Sequence, residues 1–418
     1  MLLEFRVENH RSVRVEQALN LEVSPVDTPG RAPSPERPLA IAAIYGANAS
    51  GKSNILSALR FLREAVVHSH RFWPPEGGVP RDPFAFDESA NSASTFEVSF
   101  LVDGIHHRYG FAADDQRVLE EWLHVSPHGR TQVWFQREGD LFKFGEHLKG
   151  ENRLVEKVTR ANGLFLSAAA QNRHEQLSPI YRWFRALLTE NVATRGRFHP
   201  LGEELFPDAS LWFDAPRQPS LFPEDEFPTT LFRDLLRAAD VGIVDFQIRK
   251  PEAPDSSRSR GRPQVFFQHK AADGASSWLP LSEESHGTRR LVGLAPRVLD
   301  VLTRGRVLVV DELESGFHPL LAQQLVSTFK DPIRNPRGAQ LIFTTHDTNL
   351  LGTTMGSAAL NRSEIWFTEK DEGGATRLYP LTDYSPRKTE NLERGYLQGR
   401  YGAIPFLGDI TKLGRKGD

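Results

Sequence analysis

The sequence predicts an α/β chain: a mostly parallel sheet flanked by helices, an antiparallel β subdomain, and a mainly helical insertion. Two observations carry the parallel sheet. The C-terminal part alternates amphipathic helices with uniformly apolar strands (RRLVGLAPRVLDVL, RVLVVDE, LAQQLVSTF, QLIFTTH, EIWFTEK), and strands apolar on both faces are those that helical crossovers bury. Nearer the N-terminus, IAAIYGANASGKSNILSALRFLREAV reads as buried strand, Gly-containing loop and helix, with Ile55, Leu56, Leu59, Phe61 and Leu62 at apolar positions. A third observation sets the antiparallel part aside: short alternating runs (TFEVSFLV, HHRYGFAA, VLEEWLHV, TQVWFQR) divided by turn residues such as Asp103-Gly104 and Pro127-His128-Gly129.

Four segments are expected. Residues 1–63 form an N-terminal lobe, in which a strand alternating at Leu3, Phe5 and Val7 pairs with another at Leu19, Leu21 and Val23 before the apolar strand and its helix. Residues 64–173 hold the antiparallel meander, from about Phe84 to Arg137, and a largely helical connection. Residues 174–239 read as a helical insertion: amphipathic IYRWFRALL and TLFRDLLRAA surround a Pro- and Phe-rich middle, without the sustained heptads of a coiled-coil arm. Residues 240–418 return to strands at GIVDFQI and QVFFQH and complete the sheet.

Composition narrows the function. Among 418 residues, 51 basic against 54 acidic side chains argue against coating nucleic acid through overall charge. Any such contact is local; the candidates are Arg249, Lys250, Arg258, Arg260 and Arg262, in a polar stretch that also reads as a solvated loop. The absence of cysteine removes disulfides, zinc fingers and thiol catalysis, and fits a reducing cytoplasm. The longest apolar stretches fall short of the ~18 residues of a membrane span. The N-terminal MLLEFRVENHRS carries charges where a signal peptide is apolar, so a cytoplasmic protein with no membrane partner is expected.

Gly46, Ala47, Asn48, Ala49, Ser50, Gly51, Lys52 and Ser53, followed by Asn54, fit the pattern G-x-x-x-x-G-K-[ST] between an apolar strand and an apolar-periodic helix. In that setting the loop amides and the helix N-terminus wrap phosphates, Lys52 lies on the β and γ oxygens of ATP, and the Ser53 hydroxyl ligates Mg2+. A second run, RVLVVDELE, ends four apolar residues on Asp311 and Glu312, where a buried parallel strand delivers two carboxylates to the ligand-binding edge of the sheet. Asp311 suits the metal, and Glu312 suits the base that activates water.

The class of phosphate loop follows from spacing. Roughly 250 residues separate the two motifs, enough for a large insertion, and upstream of Asp311 the run LSEESHGTRRLVGL places Ser285, Gly287 and Thr288 at the start of an amphipathic helix. A Ser hydroxyl, a Gly amide and a helix N-terminus make a second anion cradle facing the γ-phosphate held by a partner subunit, so the site calls for a homodimer. The same residues also read as a plain helix cap. His346, after the strand in QLIFTTHDTNLL, is positioned to reach the γ-phosphate and sense hydrolysis, or to be a satisfied histidine at the sheet edge. Gln171, in LFLSAAAQNR at an expected strand-to-helix junction, is either a ligand of Mg2+ and the attacking water or a solvated polar residue.

In this order the motifs resemble the ABC-type ATPase heads of SMC proteins, RecF and the OLD family. FRVENHRS is similar to the F-x-[IV]-x-N-[FY]-[RK]-S strand of those heads, so the resemblance implies that Arg11 and Ser12 approach the nucleotide; His10 stands where the family has an aromatic. DELESGFHP and NLERGYLQGRYGAIP resemble a narrower group, the stand-alone bacterial AAA-family ATPases of Rlo and abortive-infection type. That group implies an ATP-hydrolysing subunit of an antiphage defence system working with a separate effector nuclease; RecF or SMC kinship implies a DNA-binding ATPase of repair or maintenance. Only 72 residues follow His346, so no Toprim nuclease domain is expected there.

Overall fold

The computed structural model describes residues 1–22, 38–190, 192, 229–239, 242–249, 264–270, 276–352, 358–384 and 390–405. Strands β1 (Leu2–Glu8) and β2 (Gln17–Asn20) pair antiparallel, as their alternation predicts. The wholly buried β3 (Ile41–Gly46) leads through the glycine-containing loop into α1 (Lys52–Phe72). The meander follows as β4 (Ser94–Val102), β5 (Ile105–Ala113), β6 (Val118–Ser126), β7 (Gln132–Glu138) and β8 (Leu141–Phe144), and joins the first hairpin in a seven-stranded sheet ordered β2-β1-β4-β5-β6-β7-β8. Asp103 and Gly104 both take positive φ, 51° and 75°, in the tight turn between β4 and β5.

Helices α2 (Asn152–Val158), α3 (Phe165–Gln171) and α4 (Ser178–Ala186) connect to β9 (Leu188–Glu190). Then come α5 (Thr229–Ala238) and an antiparallel sheet of β10 (Ile243–Arg249), β11 (Gln264–Lys270) and β12 (Ser276–Pro280). The rest alternates: α6 (His286–Arg304), β13 (Val307–Val310), α7 (Pro319–Lys330), β14 (Gln340–Thr344), β15 (Ile365–Lys370), β16 (Thr376–Pro380) and α8 (Leu392–Leu397). The main sheet runs β16-β15-β3-β14-β13-β9 and is parallel except for β16.

One prediction needs amending here. Leu188–Glu190, inside the stretch expected to be a helical insertion, is the edge strand of the main sheet beside β13. Three residues are too few to show a period. Most of the Pro- and Phe-rich middle of that stretch lies outside the described residues.

Burial explains the apolar runs. Ala42, Ile44, Val307, Val309 and Ile342 face α1 and the seven-stranded sheet, whereas Ile41, Ala43, Leu308, Val310, Leu341 and Phe343 face the helices beyond. Gln340 staples the two sheets: its side chain accepts from the Leu2 amide at 2.6 Å and donates to the Leu2 carbonyl at 2.8 Å.

One charged cluster holds the meander to the helices. The wholly buried Glu121 carboxylate accepts from Tyr109 Oη at 2.9 Å and from the Phe165 and Leu166 amides at 2.6 and 3.0 Å, which satisfies the first turn of α3. Arg137, its ion-pair partner at 3.8 Å, donates to the carbonyls of Gly139, Arg160, Ala161 and Gly163. Removing one partner leaves an uncompensated buried charge and orphaned helix amides, so Glu121→Ala is expected to lower the free energy of unfolding by about 3 kcal/mol or more. Urea denaturation measures this, and a loss under about 1 kcal/mol, the level of an exposed pair, would refute it.

Candidate active site

The phosphate-loop residues sit where β3 ends, in the middle of the parallel sheet. A Cβ on Gly46 would stand 2.5 Å from both Ser50 Oγ and Thr368 Oγ1, and one on Gly51, whose φ is 105°, would overlap Thr376 Oγ1. The loop therefore closes tightly on the β15–β16 hairpin, and only glycine fits at these two points. Thr368 Oγ1 lies 2.7 Å from Ser50 Oγ, and Thr376 Oγ1 donates to the Ser50 carbonyl at 2.9 Å. Ala49 takes φ 64°, so the loop winds back on itself ahead of α1. Asn48 and Ala49 are exposed, Ala47 is half-buried, and Lys52 begins the helix.

Ser12 belongs to this support. Its hydroxyl lies 2.7 Å from Thr376 Oγ1 and accepts from Asn54 Nδ2 at 2.6 Å, so a chain of hydrogen bonds runs from α1 through Ser12 to the loop. The Arg11 guanidinium pairs with Asp82 at 3.2 Å. His10 fills the aromatic position: its ring stacks on Phe61 at 6.1 Å, meets Phe96 edge-on at 5.6 Å, and places Nε2 2.9 Å from Ser57 Oγ. Burial, assisted by Arg11, pushes its pKa down to about 3, so the ring packs as a neutral aromatic.

The carboxylates come from the next strand but one. Asp311 accepts from Ser53 Oγ at 3.1 Å and from Thr344 Oγ1 at 2.5 Å, and Thr344 Oγ1 accepts the Glu312 amide at 2.7 Å. Glu312 is exposed and left-handed, with φ 53°, a costly conformation for this residue type. It is held there by Thr344 and by Arg290 of α6, whose guanidinium donates to the Glu312 carbonyl at 2.5 Å and to the Asp311 carbonyl at 3.4 Å. Glu314 turns back to accept the His346 amide at 2.6 Å.

Lys52 Nζ donates to the carbonyls of Gly46 and Ala47 at 2.9 and 3.0 Å. Burial draws its pKa down to about 8, opposed by Asp311, Glu312 and Glu314. The His346 pKa is lowered by burial and then by Lys52, against the same three carboxylates, so a lysine, a histidine and three acids share one field. A magnesium site of this kind uses one or two protein oxygens and takes the rest from phosphate and water. Ser53 and Asp311, already in contact, would suit such an ion; among the described residues no cluster of three or more His, Asp or Glu offers a dedicated cage instead.

Ser285 caps α6, its Oγ accepting the Thr288 amide at 3.1 Å and lying 2.8 Å from Thr288 Oγ1. A Cβ on Gly287 would stand 2.5 Å from the Gly316 carbonyl, so the helix start lies against the loop after Glu314. The helix cap of the two readings is therefore formed.

Gln171 is not brought to the site. It ends α3, is exposed, and hydrogen-bonds Tyr181, whose hydroxyl donates to the Val67 carbonyl at 3.2 Å. Val67 lies about 22 Å along α1 from Lys52 at the helical rise. The expected strand-to-helix junction is instead the end of a helix: FLSAAAQ is Ala-rich, and its first five residues are all buried. The strand end beside Asp311 carries Glu190, whose carbonyl accepts the Asp311 amide at 3.1 Å and whose carboxylate pairs with Arg297 of α6 at 2.5 Å. Glu190, Arg290, Thr344, Thr368 and Thr376 escaped the sequence reading, although Arg290 lay inside LSEESHGTRRLVGL and Thr344 inside QLIFTTHDTNLL.

Fold and site together define a P-loop nucleotide-binding domain. The chain belongs to the family of AAA domains described as a putative AbiEii toxin of a type IV TA system, which matches residues 41–352. Among solved structures it is similar to an Smc head bound to the C-terminal winged-helix domain of ScpA, at 13% identity over 92% of this chain and 99% of that one, with a TM-score of 0.46. It is also similar to an Smc head with an extended coiled coil bound to the C-terminal domain of ScpA from Pyrococcus furiosus, at 11% identity, 92% and 97% coverage and a TM-score of 0.43. No curated protein matches the chain.

The Lys52 shift has a measurable sign. Its pKa is about 8 in the free protein, and phosphate charge raises it, so binding takes up protons: about half a proton per site at pH 8 and about a tenth at pH 7. Affinity should fall as pH rises through 8. Calorimetry in buffers of different ionisation enthalpy reads the uptake, and binding heats that are independent of buffer at pH 8 would contradict it.

Proposed function

We propose that the chain is a Mg2+-dependent ATPase that closes as a homodimer around ATP. The observation that carries this reading is Asp311, joined at once to the Ser53 hydroxyl and to Thr344, with Glu312 following it on the same strand end. Ser53 and Asp311 would hold the metal, which would supply positive charge to offset that of the β and γ phosphate oxygens. Lys52 leaves the loop carbonyls for those oxygens, and the amides of residues 47–53 follow the α and β groups. Glu312 holds the attacking water, and His346 lies within the field of Lys52 to meet the γ-phosphate. Ser285, Gly287 and Thr288 present a second helix N-terminus to the nucleotide of the partner subunit.

Lys52→Ala is expected to abolish nucleotide binding, whereas Glu312→Gln should bind ATP and lose turnover by about 100-fold or more. Wild-type turnover in Glu312→Gln would remove Glu312 as the base. Light scattering of Glu312→Gln should show ATP-dependent doubling of mass. If the mass does not change, mixing inactive Lys52→Ala with inactive Ser285→Arg chains decides the matter, since only a shared site recovers activity.

The wider role is that of an ATPase subunit in a cytoplasmic antiphage defence system that works with a separate effector nuclease. The family's description as part of a type IV TA system supports this reading. No helix of the described residues is long and apolar enough to cross a membrane. The purified chain is expected to leave plasmid DNA and total RNA intact with Mg2+ and ATP, and to cut only when the product of its neighbouring gene is added; cleavage by the chain alone that a carboxylate substitution outside the ATP site abolishes would defeat the proposal.

A further inference from the structure

The sheet β10-β11-β12 has two unlike faces. One is core: Ile243, Phe246, Val265 and Phe267 pack on Phe232 and Leu236 of α5 and on Leu291, Val292, Ala295 and Leu299 of α6. On the other, Phe266 and Trp278 are only half-buried, and Arg249 and Lys270 are exposed. The register explains this. Gln247 lies opposite Phe266 and Gln268 opposite Trp278, so alternate residues of all three strands share the outer face. There the Arg249 guanidinium carbon stands 4.0 Å from the centre of the Phe266 ring and 5.9 Å from that of Trp278.

We infer that this face binds single-stranded nucleic acid. Three planar groups in contact, one of them cationic, form a platform on which unpaired bases stack, and the stacking tolerates any sequence because every base has a π-face. Charge points the same way. The only acid on the three strands is Asp245, which Arg233 of α5 neutralises at 2.6 Å. Of the basic candidates read from the sequence, Arg249 lies on this face, and Lys250, Arg258, Arg260 and Arg262 lie outside the described residues. The strands that carry the rings thus also carry two exposed cations, Arg249 and Lys270, as a phosphate-tracking strand requires. A duplex would meet the cations but hide its bases from Phe266 and Trp278, and an acidic protein segment would have no use for the planes.

The test is fluorescence anisotropy of the full chain with labelled dT20 and U20 oligonucleotides at 50 and 200 mM salt. Saturable binding that weakens with salt is expected, and Phe266→Leu and Trp278→Leu, which keep apolar cover but lose the π-face, should each weaken it about 5-fold or more. Arg249→Lys, keeping the charge and losing the plane, should weaken it as well. None of the three touches the ATP site, so unchanged ATP binding verifies that each variant is folded. No saturable binding at 50 mM salt overturns the inference. So does binding that Arg249→Ala weakens and the two leucine variants leave unchanged, or that polyglutamate displaces as readily from those variants as from the wild type, since either would assign the face to charge alone.

Discussion

The position of β14 between β3 and β13 is the constraint from which the site follows. In a parallel sheet all C-terminal strand ends open on one edge, and adjacent strands deliver their next residues about 4.8 Å apart. Thr344 is the last residue of β14, in register with Ile44 of β3, while Phe343 is level with Val310 of β13. A threonine at that point can therefore reach the carboxylate on one side while the backbone after it stays beside the phosphate loop on the other. Its single hydroxyl donates to Asp311 and accepts the Glu312 amide, and so orients the proposed metal ligand and fixes the backbone of the proposed base together. A valine would keep the strand and lose both bonds.

Much of this was legible because the motifs are contiguous. The loop Gly46 to Ser53 and the Asp311-Glu312 pair each combine a strand, its end and its chemistry in one short run, and the alternation of helix and strand gives the parallel order. What was not legible is what comes from elsewhere in the chain to hold them. Thr368 and Thr376 meet the loop only because β15 pairs with β3 and β16 turns back on β15, and no local pattern at those threonines announces it. Gln171 failed for the opposite reason: its local pattern was read as a junction, yet the strand that reaches the site is the three-residue β9, seventeen positions further on. His10, which stands where the family has an aromatic, is neutral throughout the physiological range and fills that site at the cost of one unpaired nitrogen, Nδ1.

A second layer of contacts ties the site to the end of the described chain. Tyr45 at the end of β3 donates to the Asp347 carbonyl at 3.0 Å, and Thr348 Oγ1 donates to Glu393 of α8 at 3.3 Å. Phe367, Tyr396 and Tyr401 stack behind them, with ring centres 5.5 and 5.9 Å apart. The segment after His346 is thereby fixed on its far side by α8, so the histidine stands on a backbone anchored at both ends.

Helix α6 has the most consequential position, because it serves three surfaces. Its start, capped by Ser285, is the proposed contact with the partner's nucleotide, and its apolar flank is the floor of the β10-β11-β12 sheet. Its third surface carries Arg290 and Arg297, which bind the Glu312 carbonyl and the Glu190 carboxylate. Arg290 is half-buried, and burial lowers its pKa against the pull of four carboxylates, so the charge is retained in a place where displacing it exposes those acids to one another. A left-handed glutamate persists only while its surroundings over-determine it, and one of its holds lies on α6. Rotation of α6 by a few degrees, about an axis near its C-terminal Gly305 cap, moves the Ser285 end most and Arg290 nearly as much, since only five residues, or about 7.5 Å of helix, separate them. Docking at the helix start and the geometry of the base are therefore mechanically one variable, and the sheet packed on the same helix is joined to both.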